Sequence, residues 1–193
     1  VADDIPFYRG MHDAIYVQPN ARLGEFYGYQ YQGIFAFDES NAFTPDGQRL
    51  TPVFSNGVFQ NSYYLGNQSY SGVVEQKKAA NGDILKGGDV DLADTDGNWI
   101  IDLNDKKVIG CAQPFLYGGF STNLTYKNLT LSMMFYYSLG GQIYNYALAR
   151  QNSFEFYGVT PSPYAIKNMW TKPGDDAIYP VPKKSEHNRL APS

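Results

Sequence analysis

Tyr117-Gly118-Gly119-Phe120-Ser121-Thr122-Asn123-Leu124-Thr125-Tyr126 and Leu129-Thr130-Leu131-Ser132-Met133-Met134-Phe135-Tyr136-Tyr137-Ser138, joined by Lys127-Asn128, form the most regular stretch of the chain. In the second arm Leu129, Leu131, Met133, Phe135 and Tyr137 are apolar, while Thr130, Ser132, Met134, Tyr136 and Ser138 between them mostly carry hydroxyls. The first arm alternates too, with Phe120, Leu124 and Tyr126 on one side and Ser121, Asn123 and Thr125 on the other; Thr122 is the exception. Successive side chains of a strand point to opposite faces, so this period of two predicts a β-hairpin with one greasy and one wet face. Each arm has ten residues. That matches the ~9–11 residues of a tilted strand crossing a bilayer, with Tyr117, Tyr126, Tyr136 and Tyr137 near the ends as interfacial aromatics. A hairpin of a soluble sheet has the same period. The asymmetry around it favours the membrane: the turn is minimal, whereas the segments on either side run for dozens of residues, as in barrels with short periplasmic turns and long extracellular loops.

Outward from the hairpin, composition agrees with an all-β chain. Of 193 residues, 17 are Tyr, 12 Phe, 2 Trp and 19 Gly, a bias toward strands and turns rather than helices. Residues 1–20 carry the breakers Pro6, Gly10 and Pro19 and read as loop. Tyr27, Tyr29 and Tyr31 then recur at strand spacing. Residues 38–88 are rich in Asn, Ser, Gly and Pro, and predict a long surface excursion with short hairpins. After Gly141 the prolines at 161, 163, 173, 180, 182 and 192 predict a second irregular segment, with one helical turn near residues 144–151. Residues 1–116 are thus expected to be mostly loop and hairpin, 117–138 a transmembrane hairpin, and 139–193 loop.

Several function classes are excluded. A net charge of −4 with no basic block lacks the electrostatic footprint of a nucleic-acid binder. No stretch approaches the ~20 apolar residues of a membrane-spanning helix, and residues 1–6 hold no signal-peptide core. The single Cys111 forms no intrachain disulfide and no zinc motif. A hydrolase finds no support, because His12 and His187 are the only histidines and Gly-x-Ser-x-Gly is absent. The expectation is a protein that is not an enzyme.

Six aspartates crowd seventeen residues: Asp89, Asp91, Asp94, Asp96, Asp102 and Asp105. Such a cluster repels itself unless a cation neutralises it. From Asp94 the spacing puts oxygen side chains at positions 1, 3, 5, 9 and 12 of a twelve-residue loop: Asp94, Asp96, Asn98, Asp102 and Asp105. That is EF-hand spacing, in which the Ile100 carbonyl fills position 7 and Asp102 acts directly or through water. Hard oxygen ligands without His or Cys point to Ca²⁺. Position 6 is normally Gly for its sharp turn, and here it is Trp99. The alternative is an Asx-rich surface turn without metal.

Taken in order, these motifs resemble the SusC/RagA branch of TonB-dependent outer-membrane transporters. Its barrel carries Gly-Asp, an acidic Asp-x-Asn-Gly-Asp-Gly-x-Ile-Asp loop, Asp-x-x-x-Ile-Gly, Pro, an aromatic and a Gly-rich strand. The counterparts here are Gly88-Asp89, the loop from Asp94 to Asp102, Asp105 to Gly110, Pro114-Phe115 and Tyr117-Gly118-Gly119-Phe120. Tyr126-Lys127-Asn128-Leu129-Thr130-Leu131-Ser132, Gly141-Gln142-Ile143-Tyr144-Asn145, Leu23-Gly24-Glu25-Phe26-Tyr27-Gly28-Tyr29, Met169-Trp170-Thr171 and Tyr179-Pro180 also resemble family segments.

The resemblance implies a portion of a transmembrane antiparallel β-barrel of about 22 strands, in the outer membrane of a Gram-negative bacterium. It further implies energy-coupled import of oligosaccharides or peptides. Implied partners are a SusD-like surface lipoprotein, the rest of the barrel, membrane lipid, a glycan or peptide substrate, and TonB through N-terminal parts not represented here. Trp99, Phe154, Phe156, Tyr157 and Trp170 are candidate ligand-contacting aromatics, although loop aromatics also pack on one another. The rival is a secreted, calcium-stabilised β-rich module that binds glycans, which would use the same loop and aromatics without a membrane. Two marked membrane strands cannot close a cylinder, so the chain is expected to work as part of a larger barrel.

Overall fold

The computed structural model describes residues 7–8, 15–17, 22–145, 147–148 and 161–181. Its strands are β1 (Phe7–Tyr8), β2 (Ile15–Val17), β3 (Glu25–Gly28), β4 (Tyr31–Ile34), β5 (Thr51–Ser55), β6 (Val58–Leu65), β7 (Gln68–Tyr70), β8 (Lys78–Ala79), β9 (Val90–Leu92), β10 (Ile100–Ile101), β11 (Lys107–Cys111), β12 (Leu116–Tyr126) and β13 (Leu129–Leu139). The described residues also include the 3-10 turns Asp38–Ser40 and Leu103–Asp105 and a short helix, α1 (Pro163–Lys167). Two compact units share them: Val1–Gly28 with Lys107–Tyr144, and Tyr29–Lys106 with Asn145–Ser193.

In the first unit, β12 and β13 pair antiparallel over eleven residues each, from Tyr126↔Leu129 at the turn to Leu116↔Leu139 at the far end. Lys127 takes a φ of 52°, the left-handed conformation that lets a two-residue turn follow the strand twist. The register puts Leu124 opposite Leu131 and Phe120 opposite Phe135, whose rings stack at 4.6 Å. On the reverse face Asn123 meets Ser132, and the hydroxyls of Thr125 and Thr130 approach to 3.4 Å. Because a one-residue slip would invert both faces, the apolar alternation itself fixes this register. Gly118 lies opposite Tyr137, whose ring a β-carbon there would displace, meeting its hydroxyl at 2.7 Å. Among the described residues neither outer edge of the hairpin has a strand partner.

The same unit holds the sheet β1-β2-β3-β11. Residues 1–20, expected as loop, therefore contain two strands. Ile15, Tyr16 and Val17 are strand formers, and Ile15 and Tyr16 pair with Phe26 and Glu25; a run of three is too short to show a period. The tyrosines at 27, 29 and 31 do not form one continuous strand either. Tyr27 belongs to β3, which pairs with β11, while Tyr31 belongs to β4, which pairs with β9.

In the second unit, β5, β6 and β7 form the short hairpins expected of residues 38–88. That segment is nevertheless no mere surface excursion. Phe43, Ala79 and Leu85 join Phe35, Val90, Leu92 and Ile101 in a buried cluster, and Leu50 is buried as well. Each of the Phe, Leu, Val and Ile side chains contributes about 1.5–3 kcal/mol when removed from water, enough to hold an irregular chain around it. Phe37, Phe54, Phe59 and Tyr63 continue the packing as a row of rings 4.4 to 5.8 Å apart. Ala147 and Leu148 are helical, within the helical turn expected near residues 144–151. The turn α1 was not anticipated; Ser162 caps it by accepting from Ala165 N–H, and Pro163 stands at its first position. None of the helices is long and apolar enough to cross a membrane among the described residues.

Candidate functional site

The acidic loop leaves β9 at Ala93 and enters β10 at Ile100, anchored by the buried β9 and by buried Ile101. Asp94 folds it locally, its Oδ1 accepting from Gly97 N–H at 2.7 Å and its Oδ2 from Trp99 N–H at 2.8 Å. Asp96 accepts from Asn98 N–H at 3.1 Å and from Asn98 Nδ2 at 2.8 Å. Asp105 is fully buried, with Oδ1 accepting from Thr95 N–H at 2.6 Å and Oδ2 from Asp102 N–H at 2.9 Å. Carboxylate oxygens of Asp94, Asp96 and Asp105 all lie within 4.8 Å of one another.

Three carboxylates gathered this closely are the donor set a hard divalent cation takes. The Asp96 carboxyl is held above the usual carboxylate range, chiefly by desolvation, with the negative charges of Asp105 and Asp94 adding to it against the lowering bond from Asn98. The other expected ligands are placed differently. Asn98 Oδ1 accepts from Ile100 N–H at 2.6 Å. Asp102 caps the Leu103–Asp105 turn, accepting from Asn104 N–H, while Asp105 bonds back to Asp102 N–H as a capping box. Ile100 lies in β10, paired in parallel with Lys78 of β8.

Trp99 resolves the oddity at the sixth position. Its φ is 64°, so the backbone makes the turn that Gly would make more cheaply, at about 1–2 kcal/mol for a residue with a β-carbon. What offsets this is packing, since the indole lies 5.7 Å from the Phe43 ring against the buried cluster.

A polar network escaped sequence reasoning. Asp91 is 1% exposed and pairs with both Lys77, at 2.8 Å, and Arg49. The Lys77 ammonium, itself buried, also donates to Gln32 Oε1 and lies 4.7 Å from the centre of the Phe43 ring. Buried Asn41 ties the same region together, donating to the Lys77 and Leu85 carbonyls and accepting from Lys77 N–H. The signal available was slight: Asp91 alternates with Val90 and Leu92, at strand spacing, between two further aspartates, Asp89 and Asp94.

Of the candidate aromatics, Trp170 donates its Nε1–H to the Ala36 carbonyl at 3.1 Å and covers Gly88, where a β-carbon would come within 2.8 Å of the ring. That is a packed tryptophan. Phe154, Phe156 and Tyr157 lie outside the described residues.

No family model matches the chain. Over 175 residues, 89% of its length, it is 41% identical to TonB-dependent receptor P39 of Formosa agariphila. The chain belongs with the TonB-dependent receptors. TonB-dependent receptor P3 of the same bacterium is 32% identical over 144 residues, or 72% of the chain. The chain spans 17% and 14% of the lengths of these two relatives. TonB-dependent receptors are outer-membrane proteins of Gram-negative bacteria, which is where this β-rich chain resides. Its eleven-residue hairpin arms are of the length that such a receptor barrel uses to cross the bilayer.

Proposed function

We propose that the chain contributes barrel wall and outward-facing loops to a TonB-dependent importer of oligosaccharides or peptides, of the SusC/RagA kind, which works with a SusD-like surface lipoprotein. The observation that carries this is the β12–β13 hairpin, whose apolar face of Phe120, Leu124, Leu131 and Phe135 stays exposed and needs a cover of hydrocarbon. Closure with further strands, about 22 in all, would satisfy the hairpin's free edges, because an unpaired edge amide in hydrocarbon costs several kcal/mol. Transport, not catalysis, is then the activity, with TonB supplying the energy. Removing the transporter gene should abolish TonB-dependent uptake of at least one labelled oligosaccharide or peptide, and affinity purification of the intact transporter should bring down a surface lipoprotein. Unchanged uptake of every such substrate would overturn the reading, and solubility of the intact protein without detergent would favour a secreted glycan-binding module instead.

The acidic loop is read as a calcium site of that transporter, and the convergence of Asp94, Asp96 and Asp105 supports this. Asn98, the Ile100 carbonyl and Asp102 complete the set that the twelve-residue spacing implies. Calcium there would neutralise the loop and lock it. Calorimetry on the intact transporter should give a dissociation constant of about 10⁻⁴ to 10⁻³ M or tighter, lost in Asp94→Ala, Asp96→Ala and Asp105→Ala. An absence of binding heat would sink the assignment.

A further inference from the structure

Asparagine followed by glycine occurs twice in the chain, at Asn56-Gly57 and Asn81-Gly82, and aspartate followed by glycine twice, at Asp46-Gly47 and Asp96-Gly97. Such pairs share one chemistry. The backbone nitrogen of the glycine, on a residue without a β-carbon to hinder it, attacks the side-chain carbonyl carbon of the residue before it. Asparagine is the labile member of the two, because its side-chain amide leaves as ammonia.

Three of the four glycine nitrogens are tied down. Gly47 N–H donates to the Thr44 carbonyl at 2.9 Å, Gly82 N–H to the Ala79 carbonyl at 2.8 Å and Gly97 N–H to Asp94 Oδ1 at 2.7 Å. At Asn81 the side chain is held as well, its Oδ1 accepting from Asp83 N–H at 3.0 Å and its Nδ2 donating to Asp83 Oδ2 at 2.7 Å. Asn56-Gly57 differs on both counts. Among the described residues the Gly57 N–H has no acceptor and the Asn56 side chain no hydrogen-bond partner. Exposure does not separate the two asparagines, since Asn56, Gly57, Asn81 and Gly82 are all exposed. Hydrogen bonding does.

Asn56 and Gly57 are the central residues of the β5–β6 turn, with φ of 50° and 78°, and the Ser55↔Val58 rung closes it. Ring closure requires the backbone to rotate about the Asn56 Cα–C bond until the glycine nitrogen faces the side chain. At a hairpin tip, where local opening costs least, only that last rung resists the rotation. At Asn81 the bonds of Gly82 N–H, Asn81 Oδ1 and Asn81 Nδ2 must break as well.

We infer that Asn56 is a self-modification site, which deamidates in the folded protein well ahead of Asn81. Gly57 N loses its proton and bonds to Asn56 Cγ, the Cγ–Nδ2 bond breaks, and ammonia leaves behind a cyclic succinimide. Water then opens the ring at either carbonyl, giving aspartate or isoaspartate at position 56. Both products add a negative charge to the tip. Isoaspartate also lengthens the main chain of a two-residue turn, one rung from Phe54↔Phe59, whose rings lie 5.8 Å apart.

The test incubates the intact transporter in detergent at mildly alkaline pH and follows both asparagines by peptide mass spectrometry, with the same protein unfolded in urea alongside. Unfolded, the two Asn-Gly pairs should deamidate at similar rates. Folded, Asn56 should react about ten-fold faster than Asn81 or more, since each hydrogen bond that has to open first slows the reaction about two- to ten-fold. Hydroxylamine, which intercepts a succinimide and cuts the chain there, should cleave the folded protein after Asn56. A folded Asn56 that reacts no faster than Asn81, that stays intact while the unfolded protein is converted, or that escapes hydroxylamine while Asn81 is cut would overturn the assignment.

Discussion

In the β12–β13 hairpin the large apolar side chains face outward, with Phe120 59% and Leu131 50% exposed, whereas in the second unit Phe35, Leu50 and Leu92 are turned inward and are at most 2% exposed. Both regions obey the same hydrophobic effect with different solvents in view. The hairpin leaves its apolar face uncovered among the described residues, and on the function proposed above that face meets lipid. The second unit supplies its own interior and stitches it with charge: Asp91 between Lys77 and Arg49, and Asp105 tied to Thr95 and Asp102. Disturbing the first region should matter only in a membrane, while disturbing the second should matter anywhere.

The sharpest way to break that contrast is Asp91→Ala, which strands the buried Lys77 ammonium. Removing one member of a buried pair costs about 3–5 kcal/mol, so chemical unfolding of the second unit's residues, followed by hydrogen exchange in the intact transporter, should shift by that amount. A change below 1 kcal/mol would show that the network is solvated. Next in size is a pair of neighbours on opposite faces of β13. Met133→Arg puts a charge on the lipid side and should cost about 2–4 kcal/mol near mid-bilayer, while Met134→Arg, on the other face, should cost far less. Equal losses in refolding titrations from lipid vesicles would mean that this face does not meet hydrocarbon.

A smaller effect tests the strained turn. Trp99→Ala loses the contact with Phe43 but keeps a β-carbon at positive φ, whereas Trp99→Gly loses the contact and relieves the backbone. The glycine variant should be more stable than the alanine variant by about 1 kcal/mol in thermal unfolding, and the reverse order would place the strain elsewhere. The smallest effect is at Asp175, whose carboxyl is held below the usual range by the Thr171 hydroxyl and by the Thr171 and Lys172 N–H groups. A depressed carboxylate stabilises the fold above its unfolded-state pKa, and that support fades as pH falls through the lower folded value. Thr171→Val should raise the Asp175 titration midpoint read by carbon-detected NMR; no movement would deny the hydroxyl its part.

How far the sequence carried depended on the kind of physics behind each element. The hairpin was legible to the residue pair, because an amphipathic strand of eleven residues repeats one local rule often enough to be counted. The loop's convergent aspartates were legible as well, since Asp94, Asp96 and Asp105 sit at fixed offsets in one short stretch. Other features were set by contacts between residues far apart in the chain. β1 and β2 are too short to show a period and exist through β3. Asp91 looked like one more member of an acidic cluster until Lys77 and Arg49, from 14 and 42 residues away, enclosed it. Trp99 looked unsuited to its turn because only the tertiary structure brings Phe43 beneath it, and packing can hold a backbone in a conformation that local propensity alone would refuse.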